Sequence, residues 1–178
     1  MTALPVAEIP EDAWLVEAAR SGDRAAFGRL YDLYARMVHG ILLARVPRDE
    51  VEDLLQDIFL HALRKLHTLR DRAAFGPWVA MIAGNRAMDF YRGSRETVEL
   101  SDTIAGADQK RAPEAREILD LIRRLPDAYR ETLVLRLVEG MTGPEIALRT
   151  GLTAASVRVN LHRGMKLLRE KLGIKESV

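Results

Sequence analysis

The sequence predicts an all-α protein: two small helical domains joined by a flexible linker, the C-terminal one a helix-turn-helix domain. Three observations carry this. In every strongly periodic stretch, apolar residues recur at three-and-four spacing. No alternating apolar and polar run reads as a strand. Residues 96–113, ETVELSDTIAGADQKRAP, hold no aromatic and no long apolar stripe and end in proline, as a linker does. The division is therefore 1–95, 96–113 and 114–178.

The elements follow in order. Asp23 can cap a helix carrying Phe27, Leu30, Tyr31, Tyr34, Val38 and Ile41. Pro47 interrupts, and Asp49 is placed to cap the next helix, with Val51, Leu54, Leu55, Ile58, Leu63 and Leu66 on its stripe. The polar stretch His67–Ala74 breaks the period, which resumes from Phe75 to Arg92. Beyond the linker, Ile118, Leu121, Ile122 and Leu125 form a stripe stopped by Pro126. Tyr129, Leu133, Val134 and Leu137 form another, stopped by Gly140.

Composition narrows the class. With 178 residues, 48% of them hydrophobic and 30% charged, the chain is long enough for two small domains and reads as globular. No long uncharged apolar run suggests membrane insertion, and Met1–Asp12 lacks the pattern of a secretory signal. The absence of cysteine excludes disulfides and thiolate metal sites and fits a cytoplasmic protein. The net charge of +1 divides unevenly: 0 over 1–95, −2 over 96–113 and +3 over 114–178. From Thr153 to Lys171, Arg158, Arg163, Lys166, Arg169 and Lys171 face only Glu170. Such a stripe suits a polyanion, or equally a solvated helix end complementing the macrodipole.

Thr142 to Lys171 is the most informative stretch. Thr142 and Glu145 fit a capping box, and Pro144 is tolerated in a first turn. A short helix Glu145–Arg149 meets Thr150-Gly151-Leu152, and Thr153 can cap a longer second helix. Small Ala147, the Gly151 corner and Val157 suit two helices packed about a tight turn, the helix-turn-helix plan. On the second helix Ser156, Asn160 and Arg163 share one side, where Arg can grip guanine and Asn can read adenine. A plain helical hairpin with a polar outer face remains the alternative.

In the N-terminal half, Asp49, Glu50, Glu52, Asp53 and Asp57 crowd one helix, with Gln56 beside them. Metal binding or acid/base chemistry would need further convergent ligands or a shaped pocket. A solvated helix N-terminus or a protein-docking face needs neither. The helix Phe75–Arg92 carries Trp78, Met81, Asn85, Asp89 and Arg92 on one strip, with Arg86, Phe90, Tyr91 and Arg95 nearby. Aromatics beside Arg and Asn suit unpaired bases; core rings with surface arginines are the plain alternative. His39, His61, His67 and His162 are scattered, and no metal, cofactor or catalytic residue is assigned.

Taken in series, these segments resemble the extracytoplasmic-function (ECF) group of bacterial RNA polymerase sigma factors, over about residues 13–173. The matching residues include Gly22-Asp23, Ala26-Phe27 and Leu30-Tyr31; Glu52-Asp53-Leu54, Gln56-Asp57 and Phe59; and Phe75, Trp78, Ile82-Ala83, Asn85, Asp89 and Arg92. Leu125-Pro126, Tyr129-Arg130, Glu145-Ile146-Ala147, Gly151 and Val157 follow. The resemblance implies a non-enzymatic subunit that binds core RNA polymerase and directs it to promoters. Asp53, Gln56, Asp57 and Phe59 would dock on polymerase. Trp78, Asn85, Arg86, Asp89, Arg92 and Arg95 would read the melted non-template strand at the −10 element. Thr153, Ser156, Arg158, Asn160, Arg163 and Lys166 would read duplex DNA at −35. An anti-sigma factor would be a further partner. The recognition helix departs from the family's usual basic-Ser-Arg run, reading Arg158-Val159-Asn160. A stand-alone helix-turn-helix regulator is the rival, and it leaves the N-terminal half unexplained. A carboxylate-rich hydrolase built on Asp49–Asp57 is a second, lacking the Glu-x-x-His spacing of di-iron sites.

Overall fold

The computed structural model describes residues 11–97 and 113–173, with side chains described over 12–92 and 116–173. Among these residues there are eight α-helices and no strand, as the periodicity predicts. Four helices form an N-terminal bundle: α1 (Glu11–Arg20), α2 (Arg24–Leu43), α3 (Val51–Lys65) and α4 (Phe75–Thr97). Four form a C-terminal one: α5 (Pro113–Arg123), α6 (Asp127–Leu137), α7 (Gly143–Thr150) and α8 (Ala154–Lys171). Most of the expected linker lies outside the described residues. Among the described residues, no helix is long and apolar enough to cross a membrane.

Local chemistry sets the boundaries. Asp23 caps α2, its Oδ1 accepting from Ala25 N at 2.8 Å and Ala26 N at 3.1 Å. The helix then buries Leu30, Tyr34, Met37, Val38 and Ile41 at three-and-four spacing. The expected cap by Asp49 is corrected. Pro47 leads into a 3-10 turn, Arg48–Glu50, which runs straight into α3, and no side chain caps it. Glu52 and Asp53 serve that helix start through the macrodipole instead. After a 3-10 turn at Leu66–Thr68, a third one, Arg72–Ala74, held by Asp71 accepting from Ala73 N at 3.0 Å, launches α4. Phe75, Val79, Ala83 and Ala87 make its buried stripe, four residues apart.

Helix α1 carries little signal in the sequence, because EDAWLVEAAR offers only a short stripe, half of it alanine. It buries Ala13, Leu15, Val16 and Ala19 against α2. Arg20 ties it down by donating from Nε to Leu66 O (3.2 Å) and from Nη2 to Leu69 O.

The two bundles share one hydrophobic core. Helix α2 is its axis, touching α1, α3 and α4 on its own side and α6 and α7 on the other. This explains a departure in α6. Leu137, expected on the buried stripe, is 47% exposed, whereas Leu135 is buried. With α8 on one side and α2 on another, α6 buries Thr132 through Leu135 in succession rather than a single stripe.

Candidate nucleic-acid interface

The helix-turn-helix is built by local rules. Thr142 N donates to Glu145 Oε2 at 2.7 Å, and Glu145 N donates to Thr142 Oγ1 at 3.3 Å, closing the box at the start of α7. The Thr142 backbone N–H is the main reason the Glu145 carboxyl is held below its ordinary range. Gly151 ends α7 at φ +76°, its N–H donating to Ala147 O at 3.0 Å. Thr153 Oγ1 accepts from Ser156 N at 3.1 Å and starts α8. Val157 and Leu168 point inward, and Gly164 lies against Leu133 and Tyr129.

What remains outward on α8 is polar and basic. Thr153, Ser156, Arg158, Arg163 and Lys166 are exposed, and Asn160 is half-buried. Val159 is 43% exposed, so it faces out rather than into the core. The Thr153 hydroxyl also shares a hydrogen bond with Ser156 Oγ at 2.8 Å, so both side chains brace the helix start.

On α4 the expected strip divides. Trp78 is half-buried and tilted against Phe75 at 5.8 Å, and Phe75 in turn meets Tyr34 at 5.1 Å. Trp78 thus offers one edge outward from an aromatic chain rooted in the core. Asn85, Arg86, Asp89 and Arg92 are exposed, with Asp89 and Arg92 paired at 3.6 Å. The side chain of Arg95 lies outside the described residues.

On α3, Asp53, Gln56 and Asp57 are exposed and about one turn apart. Phe59 is not with them. It is only 3% exposed, tilted against Tyr31 at 4.7 Å and edge-on to Phe27 at 6.4 Å. It braces the acidic face from behind. Among the described residues no three His, Cys, Asp or Glu side chains group as metal ligands would.

Sequence reasoning missed the polar contacts within the N-terminal bundle and across to the C-terminal one. The Tyr34 hydroxyl donates to Asp12 Oδ2 at 2.7 Å, while the Arg149 guanidinium lies 5.0 Å over its ring. Burial first, then Asp12, pushes the phenol well above its ordinary range. His39 Nδ1 lies 2.6 Å from Glu139 Oε1. Advance signals were Gly40 and Gly76, glycines inside helix patterns where a Cβ would meet the other bundle.

Family models agree with this architecture. Residues 30–97 match sigma-70 region 2, and residues 115–168 match sigma-70 region 4. The chain is 35% identical over 167 residues to the RNA polymerase sigma factor CarQ of Myxococcus xanthus, covering 89% of this chain and 95% of CarQ. It is 31% identical over 166 residues to the ECF RNA polymerase sigma factor BldN of Streptomyces coelicolor, covering 86% of this chain but only 63% of BldN. Among solved structures, CnrH in complex with the cytosolic domain of CnrY superposes with a TM-score of 0.61 at 25% identity, over 93% of this chain and 99% of CnrH. The sigma factor RpoE of Bartonella quintana, in complex with the anti-sigma factor NepR, shares the fold at a TM-score of 0.57 and 17% identity, over 84% and 98%. The order of bundles, the helix-turn-helix and these matches together place the chain in the ECF group of RNA polymerase sigma factors, a family of transcription initiation factors that catalyse no reaction themselves.

Proposed function

We propose that this chain binds core RNA polymerase through the exposed acidic face of α3 and directs it to promoters with paired −10 and −35 elements. Asp53, Gln56 and Asp57 make the docking contacts, and Phe59 holds their helix in place. The N-terminal domain is assigned to 1–95, the linker to 96–113 and the C-terminal domain to 114–178. The observation that carries this reading is the exposed basic face of α8, behind a capped α7 and a left-handed Gly151 corner. That geometry presents a helix to the major groove. Arg158, Asn160 and Arg163 read base edges at −35, while Lys166 and the braced start of α8, Thr153 and Ser156, meet phosphates.

At −10, the outward edge of Trp78, the exposed Asn85, Arg86, Asp89 and Arg92, and Arg95 receive the melted non-template strand. Extruding a base costs a few kcal/mol of stacking, which ring contacts and base-edge hydrogen bonds offset. The protein works in the cytoplasm, where polymerase is. A protein partner that masks it, as NepR partners RpoE, is part of the proposal.

The test mixes the purified chain with bacterial core polymerase and fragmented genomic DNA and sequences the transcripts. Discrete start sites preceded by shared −35 and −10 elements are expected. Identical scattered transcripts with and without the chain, and no co-elution with polymerase, would overturn the reading and leave a duplex-DNA regulator to be tested.

A further inference from the structure

Val159 does nothing for the folding of α8. A β-branched side chain loses rotamer freedom in a helix, so a solvated helical position suits Lys, Arg, Glu or Gln better. Yet Val159, the sixth residue of α8, is 43% exposed. The helix already has its inward anchors. Val157 and Leu168 are buried, and Gly164 lies against Leu133 and Tyr129. Two residues beyond Val157 is about 200° round a helix, so Val159 projects almost straight away from the core.

Its surroundings indicate what it meets. Ala155 lies one turn earlier and is exposed, so the two side chains make a small apolar strip. His162 and Lys166, both exposed, continue that line. Ser156, Asn160 and Arg163 run along one flank and Arg158 along the other. The strip therefore occupies the middle of a basic face. It also lies in the N-terminal half of α8, the part that a helix-turn-helix aims at base edges. A protein partner seated on the strip would have to neutralise Arg158, Arg163 and Lys166 around it. Duplex DNA supplies that charge in its phosphates, and its major groove carries one apolar feature, the C5-methyl of thymine.

We infer that Val159, with Ala155 beside it, packs on the C5-methyl of a thymine in the −35 element and makes thymine the preferred base at that position. The inference rests on the proposed reading of −35 duplex by α8 and specifies what one part of that helix recognises. A valine offers no hydrogen bond, so it selects by shape and by apolar contact. Over cytosine the same side chain meets a ring C–H and leaves a gap the size of a methyl group. Over a purine it covers the N7 acceptor without pairing it. Burial of one methyl group shifts an equilibrium by about fourfold, which sets the size of the preference.

Deoxyuridine differs from thymidine only by that methyl group, which gives a direct test. Promoters recovered by transcript sequencing are rebuilt with each −35 thymine replaced in turn by deoxyuridine. Each is then titrated with core polymerase loaded with the full chain. One replacement should weaken wild-type binding by about fourfold. With Val159→Ala, thymine and deoxyuridine at that position should bind nearly alike. Cytosine there should bind wild type poorly, and 5-methylcytosine should recover part of the loss. Because Val159 is exposed, Val159→Ala should melt near wild type, so a change in DNA preference is not a folding defect. A shared −35 element with no methyl-sensitive thymine overturns the inference alone. So does a thymine whose methyl matters equally to wild type and Val159→Ala, since another side chain then reads it. Start sites without any shared −35 element overturn the promoter reading and this inference together.

Discussion

Thr142 shows how a single side chain can hold a recognition unit in place. Its hydroxyl and amide exchange hydrogen bonds with Glu145 at the start of α7. Thr142→Ala should lower thermal stability by about 1 kcal/mol, read as a drop in melting temperature. The pH dependence has a definite sign. Because Glu145 is held below its ordinary value, its contribution is present above the ordinary carboxylate pKa and is lost as acid titrates the folded form. In Thr142→Ala that acid-side loss should shrink. Arg163, exposed on α8, makes a different prediction. If it reads a base, Arg163→Ala costs about 1–3 kcal/mol and relaxes specificity at one promoter position. If it meets a phosphate, binding weakens across all sequences and the salt slope falls by about 1. Titrating polymerase loaded with each variant against −35 duplexes at several salt concentrations separates the two.

Individual helices divide into a face that folds and a face that works, and α3 is the clearest case. Phe59→Ala removes a buried ring and should cost about 3–5 kcal/mol of stability. Gln56→Ala and Asp57→Ala touch only the exposed face, so their melting temperatures should stay near wild type while polymerase pull-down falls. A Phe59→Ala protein that melts normally would show that the ring is a surface contact after all. The sequence could not separate these roles, because Phe59 lies in the same run as Asp57 and periodicity alone does not say how much of a helix neighbours will cover. The same limit affected α6. A stripe through Leu137 assumes one buried side, and α6 has two. By contrast α7 and α8 were legible almost residue by residue, since capping boxes, a proline in the first turn and a glycine corner are short-range devices. Asp49 failed as a cap because an intervening 3-10 turn shifted the helix start, a choice the composition alone does not fix.

At the scale of the whole molecule, the contact between the bundles was nearly invisible in advance. Its ion pairs join residues some hundred positions apart, such as His39 and Glu139, and no local pattern announces them. That contact makes the arrangement sensitive to protons. The hydrogen bond to Glu139 raises the His39 pKa above 6.5; burial opposes this, the charges of Glu139 and Glu52 reinforce it, and Arg48 opposes it. A pKa raised in the folded protein means the stabilisation is full below about 6.5 and is lost as pH climbs through the raised value. Thermal stability should therefore fall as pH rises through that raised value, read as a drop in melting temperature. His39→Gln should flatten that dependence.

The placement of the two tryptophans gives the molecule an optical signature. Trp14 is 71% exposed on α1, so its emission should be red-shifted and open to collisional quenching by iodide. Trp78 follows Pro77, the residue on which the Gly151 corner rests, and is sheltered within an aromatic chain. With Trp14 replaced by phenylalanine, the remaining indole becomes an intrinsic, label-free reporter of whether the corner is seated. Its spectrum could be followed in the free protein as temperature or pH is changed.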